Sequence, residues 1–110
     1  ADGEPMAQNN LGYMYRNGEG TKVNYAEALK WFLKAAEHEG TKAQAEAEYD
    51  LGEMYYEGQG VEQNYAMALK WFKRAAAHGK KEAKIYIEKL EAMLGLEATS
   101  WPRAEAQVAG

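Results

Sequence analysis

Residues 11–40 and 51–80 are two copies of one unit. LGYMYRNGEGTKVNYAEALKWFLKAAEHEG lies over LGEMYYEGQGVEQNYAMALKWFKRAAAHGK at an offset of 40, with 17 of 30 positions identical. A chain built this way is tightly constrained. Each copy is one supersecondary unit that cannot bury its apolar face alone, so neighbouring units must stack to make a core.

Within a unit the apolar residues follow helical spacing. Ala7, Leu11, Met14 and Tyr15, and again Ala47, Leu51, Met54 and Tyr55, recur at i, i+4, i+7, i+8 and define a first helix, A. Tyr25, Ala28, Leu29, Phe32, Ala35 and Ala36 define a second, B. Asn24 and Asn64 stand where B helices need N-caps, and Asn24-x-x-Glu27 is a capping box with Asn as its first residue. Gly18 and Gly58 fit the left-handed stop of helix A, while Gly40 and Gly79 end the B helices. Gly12 and Gly52 lie inside helix A, where glycine costs about 1 kcal/mol relative to alanine. That cost, met twice, predicts another helix passing close by.

A third A helix follows in KKEAKIYIEKLEAML. Ala83 and Ile87 take the places of Ala47 and Leu51 at an offset of 36. The four-residue difference is about one helical turn. It predicts that the second A helix starts one turn early, capped by Thr41 with Gln44; a bulged loop is the alternative. At the same offset Asn64 maps to Ser100 and Phe72 to Val108. The tail SWPRAEAQVAG is then either a short, degenerate third B helix with Pro102 in its first turn or a frayed end. The expected organisation is a single repeat domain, 1–110: repeat 1 over 5–40, repeat 2 over 41–79, and a third A helix plus capping segment over 80–110. The expected fold is all-α, a right-handed superhelical solenoid of antiparallel helix pairs with two and a half to three repeats.

These residues resemble a known family. L-G-x-x-Y at 11–15 and 51–55, followed by A-x-x-x-F at 28–32 and 68–72, matches the middle of the tetratricopeptide signature, with Gln8 and Glu48 where its tryptophan would stand. The G-x-G turn, N-Y-x-x-A-x-x-W and the A-A-x-x-G ending are similar to the Sel-one-like repeat (SLR) family, a tetratricopeptide relative. The resemblance spans residues 5–94. It implies adaptor and scaffold roles and no common catalytic site. The cysteines of its secreted, disulfide-stapled members are all absent here.

Chemistry finds little material. G18-E-G20-T-K22 is neither a dinucleotide fingerprint nor a Walker loop, and its second copy, G58-Q-G60-V-E62, replaces the lysine with glutamate. His38 and His78 occupy equivalent positions near the ends of B helices, where contact with the helix dipole is the simpler reading than a metal pair. Ser100 is the only serine and there is no cysteine. Neither a catalytic role nor a cofactor or metal is expected. The net charge of -4 weighs against nucleic acid, and the one basic run, Lys80, Lys81 and Lys84, reads as a solvated helix face. No run approaches the 18 apolar residues of a membrane helix and no signal peptide is recognisable, so a soluble chain is expected.

The resemblance also places a site, because in tetratricopeptide-like stacks the A helices line the concave groove. On the first A helix this selects Asn9, Tyr13, Arg16 and Asn17. On the second it selects Glu46, Tyr49, Glu53, Tyr56 and Glu57, and on the third Glu82, Ile85, Lys89 and Met93. Of these, Asn9, Tyr13, Arg16, Asn17, Tyr49, Glu53, Tyr56, Glu57 and Lys89 are the expected peptide contacts. Between copies Tyr13 becomes Glu53 and Arg16 becomes Tyr56 while the core positions persist. The expectation is a groove binding a basic or polar protein segment with an apolar anchor. The alternative is a structural repeat protein, natural fragment or engineered, monomeric or weakly self-associating through its exposed ends.

Overall fold

The computed structural model describes residues 4–95. Five helices follow in order: α1 Pro5–Asn17, α2 Tyr25–Ala36, α3 Lys42–Glu57, α4 Tyr65–Ala77 and α5 Ala83–Leu94. No strand occurs among the described residues. Helices α1/α2 and α3/α4 are the two A/B pairs, and α5 is the third A helix. Consecutive helices pack on one another, and α1 also packs on α3. The result is an all-α helical-repeat solenoid. Its extents of 57 × 28 × 17 Å and radius of gyration of 15.9 Å mark an elongated stack, against about 13 Å for a globular chain of this size.

The repeated local signals act as read. Asn24 and Asn64 cap α2 and α4, their Oδ1 atoms accepting from Glu27 N and Met67 N at 3.0 Å. Gly18 and Gly58 close α1 and α3 at φ 72° and 74°. Thr41 caps α3, accepting from Gln44 N at 3.1 Å, so the second A helix does begin one turn early: α3 has 16 residues and α1 has 13. One stop differs from expectation. Helix α2 ends at Ala36 with Glu37 as its cap, and Gly40 turns the chain only three residues later. The tail around Ser100, read as either a short third B helix or a frayed end, lies outside the described residues.

Two core clusters run through the stack. The first joins Ala28, Phe32, Ala35 and Ala36 of α2 to Ala47, Leu51 and Met54 of α3. The second joins Ala68, Leu69, Phe72 and Ala75 of α4 to Ala83 and Leu90 of α5. The interior glycines explain themselves here. A Cβ on Gly12 would sit 2.6 Å from the Phe32 ring, and one on Gly52 2.8 Å from the Phe72 ring. Each glycine thus lets the phenylalanine of its own hairpin lie against the A-helix backbone. Gly52→Ala should therefore destabilise despite better helix propensity. Overpacking costs about 1–3 kcal/mol against a propensity gain of about 1 kcal/mol. Urea unfolding should show a lower midpoint; a higher midpoint would contradict the close approach.

Candidate functional site: the seam between A helices

The A helices present one continuous row of polar and aromatic side chains. At the α1–α3 junction Tyr13 Oη donates to Asp50 Oδ1 at 3.2 Å, and Arg16 Nη1 lies 3.0 Å from Glu53 Oε1 and 3.6 Å from Asp50 Oδ1. Arg16 Nε donates to Gln59 Oε1 at 3.1 Å. At the α3–α5 junction Tyr86 Oη donates to Glu53 Oε2 at 3.3 Å, and Lys89 Nζ sits 5.5 Å above the Tyr56 ring.

These contacts form a pattern. Position 13 touches 50 across the first seam; forty residues after Tyr13 stands Glu53, and thirty-six after Asp50 stands Tyr86, which touch across the second. The tyrosine and the carboxylate have exchanged sides. Position 16 behaves alike: Arg16 with Glu53 becomes Tyr56 with Lys89, an ion pair replaced by a cation–π contact. The divergence between copies is therefore in part a reciprocal exchange of packing partners.

Around the second seam the rings converge. Tyr86 stacks on Phe72 with centroids 4.3 Å apart and 4° between planes. Tyr49 meets Phe72 and Tyr86 edge-on at 5.5 and 5.8 Å, and Tyr56 meets Tyr86 at 5.5 Å. Edge-to-face and offset pairs are the favoured geometries for such rings. Lys80 donates to both oxygens of Glu46 at 3.0 Å and lies 5.1 Å over the Tyr49 ring. Lys80 is thus a bridging residue, which corrects its reading as part of a solvated basic face.

Electrostatics follow from burial. Asp50 is 2 % exposed and its Oδ2 has no hydrogen-bond partner. Desolvation lifts its carboxyl to about 7, against the opposing pull of the Tyr13 hydroxyl and Arg16 and with help from Glu53 and Glu46. Burial first, and the Asp50 carboxylate second, push the Tyr13 hydroxyl well above the usual phenol range. The Tyr49 hydroxyl is pushed up to about 12, again by burial and then by Glu53.

The expected groove residues sort into three groups. Tyr49, Glu53 and Tyr56 are half-buried around Tyr86, with Lys89 and Glu57 exposed beside them. Tyr13 and Arg16 are half-buried and engaged with α3, and Asn17 is exposed at the end of α1. Asn9 is a correction. It is 1 % exposed, with both amide atoms buried and unpartnered, so it offers nothing to a ligand on this face. Position 9 lies on the same helix face as Tyr13 and Arg16, at i+4 and i+7, but is sealed while they are half-buried. Tyr86 is the residue that sequence reasoning missed. Its signal was present: at the offset of 36 it replaces Asp50, which itself pairs with a tyrosine.

The histidines act inside each repeat. His38 Nε2 lies 3.0 Å from Gln8 Oε1, and His78 Nδ1 lies 2.7 Å from Oε1 of the fully buried Glu48. Gln8 and Glu48 occupy the place of the tetratricopeptide tryptophan, so a hydrogen bond between A and B helices replaces an aromatic wedge. Among the described residues, no group of three or more His, Cys, Asp or Glu side chains could hold a metal ion. No described helix is long and apolar enough to cross a membrane. Two recesses open elsewhere. One of about 280 Å³ lies at the start of α3, between Thr41, Glu46, His78 and Lys80. One of about 460 Å³ lies on the B-helix side, between Leu33, Glu37, Trp71 and Arg74.

Paired helices, a repeated Phe-into-Gly contact and a seam of A-helix side chains define a helical-repeat scaffold of the tetratricopeptide-like class. Within it, the Sel1 repeat profile matches residues 5–39 and 45–80. The chain belongs to the Sel1 repeat family. It is similar to a Sel1 repeat protein from Oxalobacter formigenes, at 44 % identity and a TM-score of 0.67 over 77 % of this chain and 33 % of that one. It is also similar to c5321, a protective antigen of uropathogenic Escherichia coli strains displaying an SLR fold, at 27 % identity and a TM-score of 0.64. That match covers 98 % of this chain and 27 % of the antigen. The chain thus spans a third or less of either structure. No curated protein matches it. Sel1 repeats are protein–protein interaction modules, and proteins built from them are generally non-catalytic scaffolds.

Proposed function

We propose that the chain binds a protein segment along its A-helix face, with the cluster of Tyr49, Tyr56, Tyr86 and Glu53 at the centre of the contact. The carrying observation is the cluster itself: three half-buried tyrosines around a carboxylate, with Lys89 and Glu57 exposed at its edge. Tyrosines held by packing present rigid area at small entropic cost. The direct packing of α1 on α3 supports an inner, concave position for these helices. The exposed Glu57, and Glu53 where a partner's cation displaces Arg16, favour a segment carrying Lys or Arg, and the ring faces favour an adjacent apolar or aromatic anchor.

Selection of random displayed peptides on this chain should enrich sequences with a basic residue beside an apolar one. Their affinity, read by fluorescence anisotropy, should fall about tenfold or more in Tyr56→Ala and in Glu53→Lys. Leu33→Ala, on the B-helix side, should leave it unchanged. Circular dichroism verifies that each variant is folded. Peptides that bind Glu53→Lys and Tyr56→Ala as tightly as the parent chain overturn the groove reading.

A further inference from the structure

Arg16 stands between two carboxylates of unequal exposure. Its Nη1 is 3.0 Å from Glu53 Oε1 and 3.6 Å from Asp50 Oδ1, and its Nε donates to Gln59 Oε1 at 3.1 Å. The Glu53 side chain is 22 % exposed and that of Asp50 is 2 % exposed. Glu53 also accepts from Tyr86, so it belongs to the tyrosine cluster. Asp50 accepts from Tyr13 with Oδ1 and leaves Oδ2 buried without a partner. The chain's own guanidinium therefore already fills the place where a partner's cation would meet Glu53. A second, deeper carboxyl lies within its reach and is only partly used.

The cost of moving Arg16 off Glu53 depends on the state of Asp50. A guanidinium only 15 % exposed that loses its carboxylate is an uncompensated charge. If Asp50 is ionised, closing the 3.6 Å separation replaces the lost pair. If Asp50 is protonated, nothing replaces it. The surroundings decide which state the resting chain holds. Asp50 faces Tyr13 and Arg16 from α1 and has Glu46 and Glu53 on its own helix. Lys80, in the turn after α4, feels Asp50 but is bonded to Glu46. Helix α2 meets α3 through Ala28, Phe32, Ala35 and Ala36. From α4 and its cap, Arg74 and His78 bond Glu48 instead, and from α5 Tyr86 bonds Glu53. Burial outweighs the pull of Tyr13 and Arg16, and the carboxyl keeps its proton up to about 7.

We infer that Arg16 is an exchangeable occupant of the Glu53 subsite: a partner's arginine or lysine displaces it, Arg16 moves onto Asp50, and Asp50 gives up its proton to solvent. The inference rests on the groove reading and adds to it a linkage between binding and pH. Below pH about 6 the free chain holds the Asp50 proton, and binding has to expel it. Above pH about 7 Asp50 is already charged and Arg16 has its second seat ready. Affinity for a basic segment therefore rises with pH and levels off above about 7. The same exchange fixes the role of Asp50. It is a positioning residue, which receives Arg16 and never touches the partner.

The test uses the full chain and a histidine-free basic peptide obtained by the selection described above. Anisotropy should show affinity about tenfold higher at pH 8 than at pH 5.5. Calorimetry in two buffers of different ionisation heat should find about half a proton released per peptide near pH 6.5. Asp50→Asn should bind with about the parent's pH 5.5 affinity at both pH values and release no proton. A second measurement needs no peptide. Glu53→Gln removes the outer carboxylate, so Arg16 should move onto Asp50. The Asp50 titration midpoint, read by carboxyl-carbon NMR, should then drop by about one pH unit or more. In an Arg16→Gln background the same substitution should lower it clearly less. Equal pH dependence of affinity in the parent and Asp50→Asn overturns the inference and leaves the groove reading standing. So does an equal drop in both backgrounds. Failure of every selected peptide to bind at any pH overturns both.

Discussion

Phe72→Ala is expected to lower the unfolding free energy by about 3–5 kcal/mol, the range for deleting a buried aromatic ring. A domain of this size has only about 5–15 kcal/mol in total, so much of its stability would go. The ring is fully buried, lies against the Gly52 backbone, stacks on Tyr86 and meets Tyr49 edge-on. Phe32 fills the same place in the first repeat but has one aromatic partner, Tyr13, at 5.5 Å. Each ring pair adds about 0.5–1.5 kcal/mol beyond burial. Phe72→Ala should therefore cost more than Phe32→Ala, and equal costs would contradict the role given to Tyr86. Because the clash of a residue-52 Cβ is with this ring, Gly52→Ala should be markedly less harmful in a Phe72→Leu background. A double-mutant cycle measures that coupling.

The second large effect concerns Asp50 and pH. Its folded carboxyl titrates at about 7 against an ordinary 3.8. Below pH about 4 the group is protonated in both folded and unfolded chains. Between pH about 4 and 7 the folded chain keeps a proton that the unfolded chain has released, so stability falls as pH rises; above 7 the loss levels off. The full window corresponds to a change on the order of 4 kcal/mol at 1.36 kcal/mol per unit. Asp50→Asn retains an oxygen to accept from Tyr13 and has no charge to bury. The variant should be the more stable protein at pH 8 and should lose its advantage towards pH 4. Urea unfolding of both proteins across this range checks the difference directly, and parallel curves would show that Asp50 is not the group buried at a cost.

How far the site could be read from sequence depended on which residues one compares. An alignment of copies sets position 13 over 53 and 16 over 56, and it displays Tyr13 to Glu53 and Arg16 to Tyr56 as unexplained change. The contacts run between position 13 of one helix and position 50 of the next. Only that crossing shows Tyr13–Asp50 answered by Glu53–Tyr86, and Arg16–Glu53 by Tyr56–Lys89. Tyr86 was passed over for the same reason, since its value lies in what faces it across the seam. Asn9 failed differently: it shares a helix face with Tyr13 and Arg16, at i+4 and i+7, but is sealed there while they stay half-buried, and a face assignment does not say how deeply each turn is covered.

By itself the sequence determined the repeat, the helix pairs, the caps at Asn24 and Asn64 and the stops at Gly18 and Gly58, and it narrowed the start of α3 to an early turn capped by Thr41 or a bulged loop. All of these are short-range: a cap bonds an amide three residues on, a left-handed stop concerns one residue, and an apolar stripe needs one helix. It also announced through Gly12 and Gly52 that something passes close, without saying what. Tertiary structure alone decided that the something is Phe32 and Phe72, which carboxylate each tyrosine meets, and that Asp50 loses its water. Those outcomes depend on how one helix is rotated and shifted against the next, and that is settled by packing between units, which no periodicity within a unit encodes.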